Sequence, residues 1–147
     1  MTLFENIIDG KIPGRFVYAD DTCVAFATIQ PVRPGHVLVV PRTPYPAWTD
    51  MPADEAGHLI AVAQKIGKAQ LRVFECERIG LTIAGFEVPH THIHVIPLRN
   101  EEDLKLSNAQ EVTDNVLEST MSALRHELEA QGWEANVPLS IDSPKLS

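Results

Sequence analysis

The segment PHTHIHVIPL, residues 89–98, constrains the chain more than any other stretch of it. It sets histidines at positions 90, 92 and 94 with one non-ionisable residue between each pair. Side chains on an extended strand alternate between its two faces. A strand here turns His90, His92 and His94 to one side, roughly 6.6 Å apart along the backbone. Thr91, Ile93 and Val95 turn to the other side, and the two aliphatics suit a buried face. The chain therefore has to build a sheet with one dry face and one face that carries a row of imidazoles.

The rest of the sequence can supply that sheet. RFVYAD (15–20) and TCVAFATI (22–29) predict two short strands around an Asp20-Asp21 turn, with β-branched and aromatic residues at strand density. After the Pro-rich QPVRPG comes HVLVVP (36–41), apolar enough for a strand buried on both faces. GLTIAG (80–85) predicts a fourth strand and the histidine segment a fifth. LFENII near the start has apolar residues at helical spacing, and Asp9-Gly10 and Pro13-Gly14 end that short helix.

A long helix is expected within 49–74, capped by Thr49 or Asp50, with Leu59, Ile60, Ala63, Ile66 and Leu71 as its buried stripe. A C-terminal helix is expected from the capping-box spacing of Asn108 and Glu111, with Val112, Val116, Leu117, Met121, Leu124 and Leu128 facing inward. These elements predict one α+β domain: an antiparallel meander of about five strands with helices packed on it. Its expected extent is residues 1–133, followed by a mostly polar, loosely held tail over 134–147.

Composition narrows the function. Twelve basic against twenty acidic residues leave a net charge of −8, which excludes a broad electrostatic grip on nucleic acid. There is no run long and apolar enough for a membrane span and no signal-like start, so a cytoplasmic location is expected. Cys23 and Cys76 lack a CxxC spacing and are expected to be reduced, buried thiols.

Three imidazoles at this spacing repel one another when protonated, so at least one is expected to stay neutral. Two chemistries use that. A neutral imidazole can bind a metal, although positions along one strand converge poorly on a single ion. It can also attack phosphorus, with neighbouring histidines donating hydrogen bonds to the phosphoryl oxygens.

HTHIHVI resembles the signature of the histidine triad, or HIT, family of nucleotidyl hydrolases and transferases, with Thr91 departing from the apolar pattern. LFENIIDGKIPGRFVYADDTCVAFATIQPVRPGHVLVVPR is similar to that family's amino-terminal half, and together the two stretches cover roughly residues 3 to 99. The resemblance implies a HIT-like fold and a homodimer joined through its sheets. It also implies attack by His92 on the α-phosphorus of a purine nucleotide derivative, through a nucleotidyl-histidine. His94 would hydrogen-bond the phosphoryl oxygens, His90 would orient the row, and His36 would stand near the same site. Phe4, Phe26 and Ile29 are the implied base pocket, and Thr28, Phe86, Glu87 and Val88 occupy ribose- and phosphate-side positions. No metal or cofactor is implied for the chemistry.

Several positions depart from the family pattern. Phe86 stands where a glutamine amide commonly contacts phosphate, and Thr28 where an aspartate binds the ribose hydroxyls. The segment before the triad is too short for the family's Asn-Gly loop. Thr2, Glu5 and Pro44 fall where some members hold structural zinc through two cysteines and a histidine, so structural zinc is not expected. Each lost polar contact is worth about 1–3 kcal/mol if its partner stays unpaired. A retuned nucleotide site follows, or else a nucleotide- or partner-binding module with little turnover.

Overall fold

The computed structural model describes residues 1–147. Strands β1 (Phe16–Ala19), β2 (Cys23–Ala27), β3 (Val37–Pro41), β4 (Arg78–Thr82) and β5 (Ile93–Leu98) form one antiparallel sheet. Their order across it is β1-β2-β3-β5-β4. The first three strands run as the expected meander, because short turns leave adjacent strands little choice but to pair. β4 does not continue it. Helix α2 (Ala53–Val73) follows β3 and carries the chain roughly 30 Å across the sheet, at 1.5 Å per residue. The chain re-enters at the far edge as β4 and turns back, so β5 fills the gap beside β3.

Residues of β2 and β3 alternate between two apolar clusters, and Ile93 and Val95 of β5 join the first. Cys23, Ala25, Val37, Val39, Ile93 and Val95 face α2 and helix α3 (Asp114–Leu128), meeting Leu59, Val62, Ala63, Ile66, Met121 and Leu124. Val24, Phe26, Leu38 and Val40 face the opposite way, toward helix α1 (Leu3–Ile8), and meet Phe4 and Ile7. Strand register lines up Phe16, Phe26, Leu38 and His94 as one row across this second face.

The helices differ from expectation at their starts. Thr49 and Asp50 sit in a separate 3-10 turn, Trp48–Asp50, and α2 begins after Pro52, whose missing N–H costs nothing there. Residues Leu106–Asn108 form another 3-10 turn, and Thr113 rather than Asn108 caps α3, its hydroxyl accepting from Val116 N–H. On α2 the buried stripe includes Val62, Gly67, Ala69 and Gln70, while Ile60 and Leu71 face outward. The final residues were expected to be loose, yet they are tied in. Val137 is buried, Phe16 N–H donates to Ile141 O, and the Arg125 guanidinium donates to Phe16 O and Pro138 O.

His58 of α2 reaches the Asp20 carboxylate at 2.7 Å and so pins the β1–β2 turn to α2. Both cysteines are free; Cys23 is buried and Cys76 only half-buried. No helix is long and apolar enough to cross a membrane.

Candidate functional site

β5 begins at Ile93, so only His94 of the three histidines lies within a paired strand. His90, in a bend, and His92 precede it in a segment whose Thr91 N–H and hydroxyl both donate to Tyr45 O. Alternation survives this shift: Thr91, Ile93 and Val95 are buried on one side, and the imidazoles lie on the side of α1. All three are nearly inaccessible, His90 completely so.

Hydrogen-bond partners assign each ring its tautomer, because carbonyls only accept and backbone N–H groups only donate. His92 Nδ1 lies 2.8 Å from His90 O and must carry the proton, which leaves Nε2 with a free lone pair. His36 Nδ1 accepts from Val32 N–H at 3.0 Å, so in the neutral ring its proton is on Nε2. That Nε2–H donates to His94 Nδ1 at 2.9 Å and leaves the His94 proton on Nε2. His90 Nε2–H donates to Pro41 O at 2.7 Å, and its Nδ1 accepts from the Thr2 hydroxyl at 2.7 Å. The cluster thus presents one bare nitrogen, on His92, beside one donating nitrogen, on His94, with ring centres 5.0 Å apart.

Burial holds the rings neutral. It pushes His36 down to about 3 and His94 to about 4, and in both cases the neighbouring imidazoles add to the shift. It also lowers His92, partly offset by the His90 carbonyl and the Glu87 carboxylate, and lowers His90. An apolar seat with neutral imidazoles favours a nucleophile over a cation.

Backbone elements set these positions. Gly35 adopts φ +88°, and a Cβ there would lie 2.3 Å from the Phe74 ring, so only glycine lets the loop bring His36 under β5. Gln70, on the buried stripe of α2, donates from Nε2 to Gly35 O and Val95 O. It ties the loop before His36 to the strand after His94. Neither Gln70 nor the Val32 amide was picked out from the sequence. A glutamine four residues after Ile66 on an apolar stripe is a signal for Gln70; the Val32 contact leaves no sequence trace.

His92 and His94 form one wall of a pocket of about 300 Å³. Phe4, Phe26, Thr28, Ile29, Glu87 and Val88 all line it, as do Arg15, Gln30 and Leu38. Phe4 packs edge-on against His92 at 4.9 Å and against Phe26 at 5.6 Å. His36 lies behind His94, and His90 lies beneath, against Phe4. Phe86 is not in the lining. It is 95% exposed on the loop that follows Gly85, whose φ is +80°.

The positions that would hold structural zinc do not fit it. The Thr2 hydroxyl is engaged with His90, the Glu5 carboxylate accepts from Thr2 N–H, and Pro44 has no donor atom. A second cluster, Asp20, Cys23 and His58, brings possible donors within 4.8 Å. There the carboxylate already accepts from Thr22 N–H, Cys23 N–H, the Tyr18 hydroxyl and His58, and burial pushes the Cys23 thiol up. Both observations favour a hydrogen-bonded hairpin anchor over an ion site.

A family model described as "HIT domain" matches residues 9–101. An uncharacterized HIT-like protein of Methanocaldococcus jannaschii is 33% identical over 129 residues, covering 85% of this chain and 99% of its own. The purine nucleoside phosphoramidase of Escherichia coli is 34% identical over 101 residues, covering 65% of this chain and 85% of its own. Among solved structures, a zinc-bound histidine triad family protein from Mycobacterium smegmatis superposes with a TM-score of 0.76 at 27% identity, covering 88% of this chain and 94% of that one.

Proposed function

The chain belongs to the HIT domain family, and from that premise we propose that it is a metal-independent nucleotide hydrolase or transferase working through a nucleotidyl-histidine. The single observation that carries this reading is the tautomer chain, which leaves His92 Nε2 bare and aims His94 Nε2–H into the same pocket.

Attack by His92 Nε2 on the α-phosphorus forms a P–N bond while the bond to the leaving group breaks. His94 Nε2–H donates to a phosphoryl oxygen as charge grows there. His90, held by Thr2 and Pro41, offers its own carbonyl to His92 Nδ1–H and stabilises the charge that ring acquires. Water then adds to phosphorus and the P–N bond to His92 breaks. One water is consumed overall: its hydroxyl stays on phosphorus as nucleoside monophosphate, and its remaining proton goes with the leaving group. Phe4, Phe26 and Ile29 form the apolar wall suited to a purine, and Thr28 presents a hydroxyl toward the ribose. Candidate substrates are nucleoside phosphoramidates and dinucleoside polyphosphates.

Incubation with adenosine phosphoramidate in EDTA, followed by intact-mass analysis, tests the reading. AMP release and a transient adenylyl adduct lost in His92→Gln are expected; absence of both overturns it. The exposed Phe86 and the lone Thr28 hydroxyl favour a second reading, a nucleotide- or partner-binding module with little turnover. AMP binding without measurable hydrolysis would select that one.

The same premise supports a homodimer. β4 is the open edge of the sheet, and Trp48, Ile60, Leu71 and Leu81 near it are 40–53% exposed. A second copy pairing edge to edge would cover them. Sedimentation is expected to give a dimer that Leu81→Glu converts to monomer; a wild-type monomer at micromolar concentration refutes the assembly.

A further inference from the structure

The charges around the pocket limit what can leave from phosphorus. Arg15 is the only basic side chain in the lining. Its Nε donates to Glu118 at 2.8 Å and its guanidinium lies 3.3 Å from Asp114, so its charge is answered twice over. Glu87 also lines the pocket, is exposed, and takes part in none of the six ion pairs. Its field reaches the reaction centre, where it favours protonated His92. Phe86, beside it in the chain, offers an exposed aromatic face and no hydrogen-bond donor. An unpaired carboxylate attracts cations and repels anions.

On the proposed nucleotidyl-transfer reading, we infer that Glu87 makes this site select leaving groups that carry no negative charge. Amines that are neutral, or that bear a second, cationic group, are the favoured class. A polyphosphate tail or a carboxylate-bearing amine meets unbalanced negative charge at the rim. Interaction over such distances is partly screened by salt, with a Debye length of about 8 Å at physiological ionic strength. Selection by Glu87 is therefore expected to weaken as salt rises.

The test uses three adenosine phosphoramidates of similar size, made from β-alanine, 3-aminopropanol and 1,3-diaminopropane. Their free ends are a carboxylate, a hydroxyl and an ammonium. For the wild type, kcat/KM is expected to rise from the first to the third by about tenfold or more. In Glu87→Gln the spread shrinks severalfold, and raised salt shrinks it in the wild type. Intrinsic differences between the amines cancel in the variant-to-wild-type ratio. An unchanged spread in Glu87→Gln, or a preference for the carboxylate, overturns the inference and leaves the nucleotidyl-transfer reading standing.

If none of the three is hydrolysed, the catalytic reading falls, and the same compounds are compared by calorimetric binding. An affinity order that collapses in Glu87→Gln upholds the selection; equal affinities, or no binding, refute it. Circular dichroism checks folding of the variant, which alters an exposed side chain with no ion-pair partner.

Discussion

The two faces of this sheet are built from alternate residues of the same strands, yet they are finished differently. On one face, α2 and α3 cover Val37, Val39, Ile93 and Val95 completely, and Gln70 is the polar side chain of α2 buried among them. On the other, the six-residue α1 covers only part of the row Phe16–Phe26–Leu38–His94 and leaves a pocket whose wall is imidazole. The first face is the larger reservoir of buried apolar area and of stability. The second gives up part of that burial to hold four neutral histidines in fixed tautomers. Stability and chemistry are thus separable by face, and perturbations should show it.

The largest effect is expected on the open face. His92→Gln removes the attacking nitrogen, and turnover should fall about 10⁴-fold, roughly 5.5 kcal/mol of barrier. Unfolding should stay cooperative with a near-native midpoint. Loss of fold together with activity would show that the faces are not separable. The converse is Leu124→Ala on the covered face. Leu124 is wholly buried between α3 and the sheet, and its truncation should cost about 2–5 kcal/mol in denaturant unfolding. The KM of the surviving folded enzyme should be unchanged.

Acid sharpens the comparison, since the buried histidines all belong to the pocket face. The folded-state pKa values of His36, His90, His92 and His94 are all depressed below the ordinary 6.5. Between that value and about 4, where His94 titrates, the unfolded chain binds more protons than the folded one. The stability that rests on neutral histidines is therefore full above the unfolded pKa and is lost as pH falls through this window. The rate per folded molecule follows the folded-state values instead, so its acid limb should lie below the ordinary histidine value, because burial lowers both His92 and His94. A melting temperature flat from pH 7 to 4, or a rate that halves near 6.5, would contradict this assignment.

How legible each face was in the sequence follows from how local its determinants are. The apolar alternation of TCVAFATI and HVLVVP and the H-x-H-x-H row are local, and they placed three strands and the imidazole face correctly. The start of β5 was not legible, because Thr91 is paired with Tyr45 O in a loop and not with a strand neighbour. Strand order past β3 was hidden for the same reason, since a crossover helix decides which edge the chain reaches. At α3, Asn108 ends a 3-10 turn and Thr113, five residues on, is the cap. The tautomers depend on the Val32 amide, the Pro41 carbonyl and the Thr2 hydroxyl, and the last of these is 88 residues from its partner. A row of histidines is visible in sequence; which nitrogen each leaves bare is not.

The smallest effect probes the seam between α1 and the histidine row. Thr2 accepts from Glu5 N–H as the helix cap and donates to His90 Nδ1, so one hydroxyl serves both fold and site. Thr2→Val keeps the shape and removes both bonds. Loss of the cap should cost about 1 kcal/mol in stability. His90 would keep Pro41 as its only ring partner, and its carbonyl would hold His92 Nδ1–H less firmly, lowering kcat a few-fold at unchanged KM. Glu5→Ala separates the two roles, since it breaks the capping box while leaving Thr2 free to donate to His90. If kcat falls in Thr2→Val and not in Glu5→Ala, at comparable losses of stability, the hydroxyl acts on chemistry through His90. If both variants lower kcat alike, α1 supports the pocket only by holding Phe4 in place.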